Sequence, residues 1–226
     1  MIKKLELEVK SFGHYTNTYL IYDENKEAVI VDPADKAEII ITEIEKLELK
    51  PKYVLLTHGH VDHVLALEEI IKKYNIKVIA NIHEKDMLVG NVSNCSNVFG
   101  LTQNKYNPED FILLNNEEYI SIGDVKIQMI HTPGHSIGSC CYYIEKENIL
   151  ITGDTLFSDC FGRCDLPSSN LDDMINSLIK LYKNFSEAQM YPGHDNSGMK
   201  VIDTYPVVRR YLKYTSMIDL DDFVNS

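Results

Sequence analysis

Apolar residues in the first third of the chain change spacing several times. Leu5, Leu7 and Val9 alternate with polar residues, as in a half-buried β-strand. The short apolar runs TYLIY, AVIV and YVLLT fit strands that are buried on both faces. Between these runs, residues 35–47 show helical spacing, and residues 64–74 show it again after the last run. The pattern therefore predicts strands that alternate with helices.

The second half of the chain shows the same alternation of strand-like apolar runs and helical spacing. The segment ISIGDVKIQMI predicts two strands around a turn at Gly123-Asp124, and the runs CCYYI and NILIT predict two more. Residues 171–185 carry a clear apolar stripe and predict a helix that Asn170 caps. Residues 91–118 hold many asparagines and no clear period, which predicts a long loop or short irregular elements.

Strands and helices alternate in both halves without a Pro/Gly-rich linker. We therefore predict one domain over residues 1–226, of the α/β class, with sheets covered by helices.

Composition and charge limit the cellular compartments and the binding partners that we expect for this protein. The formal net charge is −12, so the surface should repel phosphate backbones and we expect no nucleic-acid partner. The five cysteines form no C-x-x-C pair, which indicates a reducing compartment rather than a disulfide framework. The N-terminal segment lacks the apolar core of a signal peptide, and no run reaches the ~20 apolar residues of a membrane span. The expectation is a cytoplasmic protein without membrane association.

The motif THGHVDH at residues 57–63 is the strongest chemical signal. It places His58, His60, Asp62 and His63 directly after a buried strand. Imidazoles this close repel one another when protonated and lack partners when buried and neutral. A metal ion removes both problems, because neutral imidazole binds zinc or iron well.

Three further polar residues occur in the same local context. His135, Asp154 and His194 each follow a strand-like segment and have a neighbouring glycine that allows a tight turn. Ligands often lie at strand ends, because the sheet holds them while the loops leave access. Seven ligands exceed the needs of one four-coordinate ion, so we expect two divalent ions with one bridging carboxylate. The nitrogen and oxygen ligands fit zinc, our first expectation, and leave iron or manganese open.

These motifs, with GDTLF at 153–157 and GRCDLP at 162–167, resemble the metallo-β-lactamase fold hydrolases, and most of all their glyoxalase II-like (hydroxyacylglutathione hydrolase-like) branch. The resemblance covers roughly residues 1–195. It implies an αβ/βα sandwich with the site at one edge of two facing sheets.

The resemblance also implies roles for the seven residues. One metal would take His58, His60 and His135, the second would take Asp62, His63 and His194, and Asp154 would bridge them. Residues 195–226 do not visibly match the glutathione-contacting domain of the larger members.

The predicted reaction is hydrolysis of a small-molecule acyl thioester, such as a hydroxyacyl-thiol conjugate. Two metals lower the pKa of water to about 7, and Asp62 would orient the resulting hydroxide. The alternatives are a mononuclear iron persulfide dioxygenase, a lactone or β-lactam hydrolase, and a non-catalytic metal-binding module. The last is disfavoured, since closed structural sites usually use four ligands, often cysteine.

The remaining polar residues receive secondary interpretations. Arg163 and Asp165 are predicted to form a buried pair that supports the site or contacts substrate. His14 could edge the pocket, His83 should cap a helix or lie on the surface, and His131 should be a structural partner. The cysteines are interpreted as small core residues rather than nucleophiles.

Overall fold

Eleven strands form two β-sheets in the computed structural model, which describes residues 1–10, 13–216 and 218–224. The strands are β1 (Ile2–Glu8), β2 (Tyr15–Tyr22), β3 (Glu27–Val31), β4 (Lys50–Leu55), β5 (Lys77–Asn81), β6 (Phe111–Leu114), β7 (Tyr119–Ile122), β8 (Val125–His131), β9 (Cys140–Ile144), β10 (Ile149–Gly153) and β11 (Gln189–Pro192). The first sheet has the order β1-β2-β3-β4-β5-β6, and the second has the order β11-β10-β9-β8-β7.

Both sheets mix strand directions. In the first sheet, β1, β2 and β3 pair antiparallel, and β3 to β6 pair parallel. In the second sheet only β10 and β11 pair parallel. Parallel neighbours need long crossover connections, and the helices of the first half supply them.

Seven α-helices accompany the sheets in the described part of the chain. They are α1 (Ala37–Lys46), α2 (Val61–Val64), α3 (Leu67–Tyr74), α4 (Lys85–Leu88), α5 (Leu171–Asn184), α6 (Val201–Ser216) and α7 (Asp221–Val224). The predicted cap of α5 is confirmed, because the Asn170 side chain accepts a hydrogen bond from the Asp173 N–H at 3.0 Å. The Asn170 N–H donates in turn to the Gly134 carbonyl, which joins this helix end to the turn that precedes His135.

Three apolar clusters explain the layering. Val29 and Val31 of β3 pack between the two sheets, whereas Ala28 and Ile30 face the helix layer of α1 and α3. Successive strand residues point to opposite faces, so a strand covered on both sides reads as a continuous apolar run. A third cluster packs α5 and α6 on the outer face of the second sheet. The predicted four-layer arrangement of helices and two facing sheets is confirmed.

Several boundaries differ from the sequence prediction. The helix predicted at residues 64–74 is α3, which begins three residues later, at Leu67, and only Val64 of the predicted range belongs to the preceding short helix α2. Residues 91–118 are mainly irregular, but they include strand β6, a short apolar run at the end of this asparagine-rich segment that was not predicted as a strand. The predicted domain, 1–226, includes positions 11, 12, 217, 225 and 226, which lie outside the described residues. Among the described residues, no helix combines the length and apolar character that a membrane span requires.

Candidate metal centre

The seven predicted ligands meet where strands of both sheets end. His58 and His60 lie in the turn after β4, and Asp62 and His63 lie on α2, directly beyond that turn. The other three come from the second sheet and follow its strands: His135 comes after β8, Asp154 after β10 and His194 after β11. The turns belong to one edge of the molecule, since the Cys140 N–H donates to the Thr57 carbonyl at 2.8 Å between the sheets.

His58, His60 and His135 form the first group. Each offers a nitrogen within 4.8 Å of the other two, and all three residues are buried. His60 Nδ1 and His135 Nε2 are 2.9 Å apart. This is the trio that the resemblance assigned to one metal.

Asp154 lies between this group and the remaining ligands. Its Oδ1 is 3.3 Å from His63 Nε2, and its Oδ2 is 3.5 Å from His135 Nε2 and 3.3 Å from His194 Nε2. Asp62 Oδ2 is 3.4 Å from His194 Nε2 and 3.8 Å from His63 Nε2. One carboxylate thus touches members of both predicted trios, which is the geometry that a bridging ligand requires.

Unpartnered nitrogen atoms show that the residues fit a metal. His58 Nε2, His60 Nε2 and His63 Nε2 are buried and have no hydrogen-bond partner among the described residues. A buried polar atom without a partner is destabilising by about 1–3 kcal/mol. Imidazole nitrogens left open in this way beside carboxylates form a donor set that suits a divalent cation.

Neighbouring residues fix the orientation of the imidazole rings. Asp32 accepts hydrogen bonds from the Thr57 N–H at 2.7 Å and the Thr57 hydroxyl at 2.6 Å, and its Oδ2 lies 3.0 Å from His63 Nδ1. The Thr57 hydroxyl also lies 3.1 Å from His58 Nδ1. Such contacts select the tautomer that leaves Nε2 free for a metal.

Backbone carbonyls orient two further ligands in the same way. His135 Nδ1 donates to the Arg163 carbonyl at 3.0 Å, and His194 Nδ1 donates to the Tyr15 carbonyl at 2.6 Å. In both residues Nε2 therefore faces Asp154.

The electrostatics of the two groups differ. Burial lowers the pKa of His58 well below its ordinary value, lowers that of His60 to about 3, and lowers that of His135 as well, so these rings are neutral near pH 7. Burial also opposes protonation of His63 and His194, but the charges of Asp154 and Asp62 and the hydrogen bonds with Asp154 together outweigh burial and raise the pKa of both rings. A neutral imidazole can bind a metal ion directly, whereas a protonated imidazole must first lose a proton.

A buried glutamate links the turns that carry the first group. Glu84 Oε2 accepts a hydrogen bond from the Gly59 N–H, and its Oε1 accepts one from the Gly138 N–H, each at 3.0 Å. Its Oε1 also accepts a short hydrogen bond from the Ser136 hydroxyl. A Cβ at Gly138 would lie 2.6 Å from the Glu84 backbone nitrogen, so only glycine fits there.

Not every secondary prediction holds. Arg163 and Asp165 do pair, with Nε 2.6 Å from Oδ1, but their side chains are 64% and 68% exposed, so the prediction of a buried pair is wrong. Both lie in the loop between β10 and α5. His83 is exposed, as predicted, and His131 donates to the Ile137 carbonyl and stacks on His83.

His14 lies closer to the chemistry than its sequence context suggested. It lines the cavity beside the predicted ligands, and its Nε2 is 2.9 Å from Asp62 Oδ2. It also forms a possible metal-binding group with Asp62 and His194. We interpret it as the residue that orients Asp62.

The cysteines are free thiols in the structure, and burial raises their pKa values above the ordinary range. Because a thiolate is the reactive form, the raised pKa values argue against a nucleophilic role. The interpretation as core residues holds for Cys95, Cys140 and Cys141, which are buried, whereas Cys160 and Cys164 are only partly buried.

Asp32, Glu84 and Tyr15 were missed as contributors to the site. Asp32 follows the buried run AVIV and precedes a proline, which is a weak signal for a functional turn. Glu84 and Tyr15 carry no local signal, since one acts through a distant turn and the other through its carbonyl group.

Comparison with known proteins agrees with this geometry. The model of the metallo-beta-lactamase superfamily matches residues 12–194. The hydroxyacylglutathione hydrolase GloC of Haemophilus influenzae is 31% identical over 164 residues, which cover 72% of this chain and 76% of that protein. A probable metallo-hydrolase of Methanocaldococcus jannaschii is 33% identical over 208 residues, which cover 88% of this chain and 97% of that protein.

Solved structures show the same fold. The BLEG-1 B3 metallo-beta-lactamase has a TM-score of 0.81 at 31% identity, with 91% of this chain and 97% of that chain covered. TTHA1623 in a di-iron-bound form has a TM-score of 0.78 at 25% identity, with 91% and 98% covered. The fold, the His/Asp clusters and the matched residues all agree, and the chain belongs to the metallo-beta-lactamase superfamily of metal-dependent hydrolases.

Proposed function

We propose that this protein hydrolyses small-molecule acyl thioesters with a pair of divalent metal ions, and we expect both ions to be zinc. The observation that carries the proposal is the position of Asp154, whose two oxygens approach histidines of both ligand groups within 3.5 Å. The similarity to hydroxyacylglutathione hydrolases supports the thioester as substrate.

The first group, with His58, His60 and His135, would hold one ion, and Asp62, His63 and His194 would hold the other. When bound, such ions lower the pKa of water to about 7 and polarise a carbonyl group. In this proposal, Asp62 orients the attacking water and accepts its proton. Burial opposes ionisation of Asp62, but the charge of His63 and the hydrogen bond with His14 hold its pKa below the ordinary range, so it acts as a carboxylate.

The reaction balances without a further co-reactant. The water oxygen forms a bond to the carbonyl carbon, the carbon–sulfur bond breaks, and the sulfur leaves with the bonding electron pair. The proton lost by water passes through Asp62 to the thiolate or to solvent. A thiol has an ordinary pKa near ~8.5, so a thiolate can leave without a dedicated acid.

The test combines metal analysis with a substrate panel. Protein purified without chelator should contain about two transition-metal ions per chain and should cleave acyl thioesters with higher kcat/KM than a simple lactone or a β-lactam. A single iron with oxygen uptake would instead favour the dioxygenase alternative. Preference for the β-lactam, the substrate class that the name of BLEG-1 indicates, would contradict the thioester proposal.

A further inference from the structure

One wall of the metal-centre cavity is apolar. The cavity measures about 340 Å³, and His14 lines it together with five of the predicted ligands, namely His60, Asp62, His135, Asp154 and His194. The rest of the lining is mainly apolar and is formed by the side chains of Cys95, Val98, Phe99, Phe157 and Leu166. We refer to these five residues as the apolar wall.

The apolar wall begins directly at the reacting groups. The Phe157 ring lies 5.9 Å from that of His194, and the Phe99 ring lies 5.8 Å from that of His14. A carbonyl group held at the ligands would therefore have its first substituent carbons against this wall. Val98, which is 71% exposed, forms the outer end.

Few side chains along this wall could form a hydrogen bond with a substrate. Of the described side chains that line the cavity outside the ligands and His14, only Arg163 carries a charge or a strong hydrogen-bonding group. Its guanidinium is engaged by Asp165, with Nε 2.6 Å from Oδ1 and Nη2 2.8 Å from Oδ2. A substrate hydroxyl group that packed against these five apolar side chains would lose its hydration without gaining a matched partner from them, which is unfavourable.

We infer that the acyl half of the substrate is an apolar chain, an alkanoyl or arylalkanoyl group, rather than a small hydroxyacyl group. This inference rests on the proposed thioester hydrolysis and names its substrate class. Carrier thiols are generally polar or charged molecules, so the apolar wall matches the acyl half better than the thiol half. Burying a methylene group against such a wall contributes about fourfold in kcat/KM, the equivalent of ~0.8 kcal/mol.

The test keeps the thiol constant and changes the acyl group. The metal-loaded protein is assayed with acetyl, butyryl, hexanoyl and lactoyl thioesters of one small thiol. We expect kcat/KM to rise by roughly fourfold per added methylene until the wall is covered, and the butyryl ester to exceed the lactoyl ester. A flat series, or preference for the lactoyl ester, would overturn the inference while leaving thioester hydrolysis intact. Failure to cleave every thioester would contradict the proposed function instead.

A matched pair of variants locates the effect. Val98→Asn places a polar side chain at the outer end of the apolar wall, and Ile39→Asn makes a similar change at an exposed position on α1. The hexanoyl-to-acetyl ratio of kcat/KM should fall roughly threefold to tenfold in Val98→Asn and stay unchanged in Ile39→Asn. Melting temperature and metal content confirm that both variants are folded and loaded. An unchanged ratio in Val98→Asn protein that is folded and metal-loaded would show that the acyl chain of the substrate does not lie against Val98.

Discussion

At the scale of the residue, Asp154 is the carboxylate that approaches histidines of both ligand groups. It follows β10, is buried, and approaches His63, His135 and His194. Burial opposes its ionisation, but the charges of His194 and His63 outweigh burial and hold its pKa well below the ordinary range. It is therefore a carboxylate near neutral pH.

We expect Asp154→Ala to lower thioesterase activity by at least a hundredfold and to reduce the metal content toward one ion per chain, because both groups lose a shared ligand. The control is His83→Ala, which removes an exposed imidazole outside the cavity. The measurement is kcat/KM together with elemental analysis. Equal losses in the two variants would show that the assignment of ligands is wrong.

At the scale of the element, Glu84 joins turns that belong to different sheets. It precedes α4, and its carboxylate receives the N–H groups of Gly59, after β4, and Gly138, before β9. Burial raises the pKa of Glu84, which means that the ionised form is held in an unfavourable environment. A buried carboxylate at this place is consistent with a role in aligning the two turns that carry His58, His60 and His135.

We expect Glu84→Gln to weaken metal binding at the first group by roughly tenfold to a hundredfold, the usual effect of changing a residue that supports metal ligands. The amide group cannot accept both backbone N–H groups, so one turn loses its anchor. Glu118→Gln is the control, since Glu118 also accepts a backbone N–H, from Asn115, but at an exposed site. Zinc titration with a competing chelator measures the affinity. A loss of melting temperature without a loss of affinity would mean that Glu84 supports only the fold.

At the scale of the whole molecule, the metal centre connects the two halves of the sandwich. Its ligands come from the edges of both sheets, so bound ions would crosslink the halves. Ligands that bind only the folded state stabilise it by about 4 kcal/mol when present at ~1,000 times their dissociation constant.

Removal of metal should therefore lower the melting temperature by roughly 8–16 °C, given about 2–4 °C per kcal/mol for a protein of this size. The difference should shrink as pH falls from 8 to 6. The pKa values of His63 and His194 are raised in the metal-free protein, so metal must displace protons from them, and this becomes harder at lower pH. Calorimetry of loaded and chelator-treated protein at several pH values is the measurement. Equal melting temperatures would contradict a crosslinking role.

The sequence by itself determined the features that depend on neighbours along the chain. The spacing of apolar residues predicted buried strands such as β3 and the capped helix α5, because each face of a strand or helix must match its surroundings over a few residues. The sequence also indicated metal binding. The motif THGHVDH places four ligand-type side chains so close together that, without a metal, the imidazoles would repel one another or lack partners. His135, Asp154 and His194 were found because each repeats the local pattern of strand, tight turn and ligand.

Only the tertiary structure decided how distant residues meet. His60 and His135 are 75 positions apart, and their 2.9 Å contact depends on the alignment of two sheets. The contacts of Asp32 and Glu84 with the ligand turns, and the exposure of the Arg163–Asp165 pair, have no local signature. The physical reason is that local spacing reports which face of an element is covered, whereas the partner on that face is chosen by the packing of the whole chain.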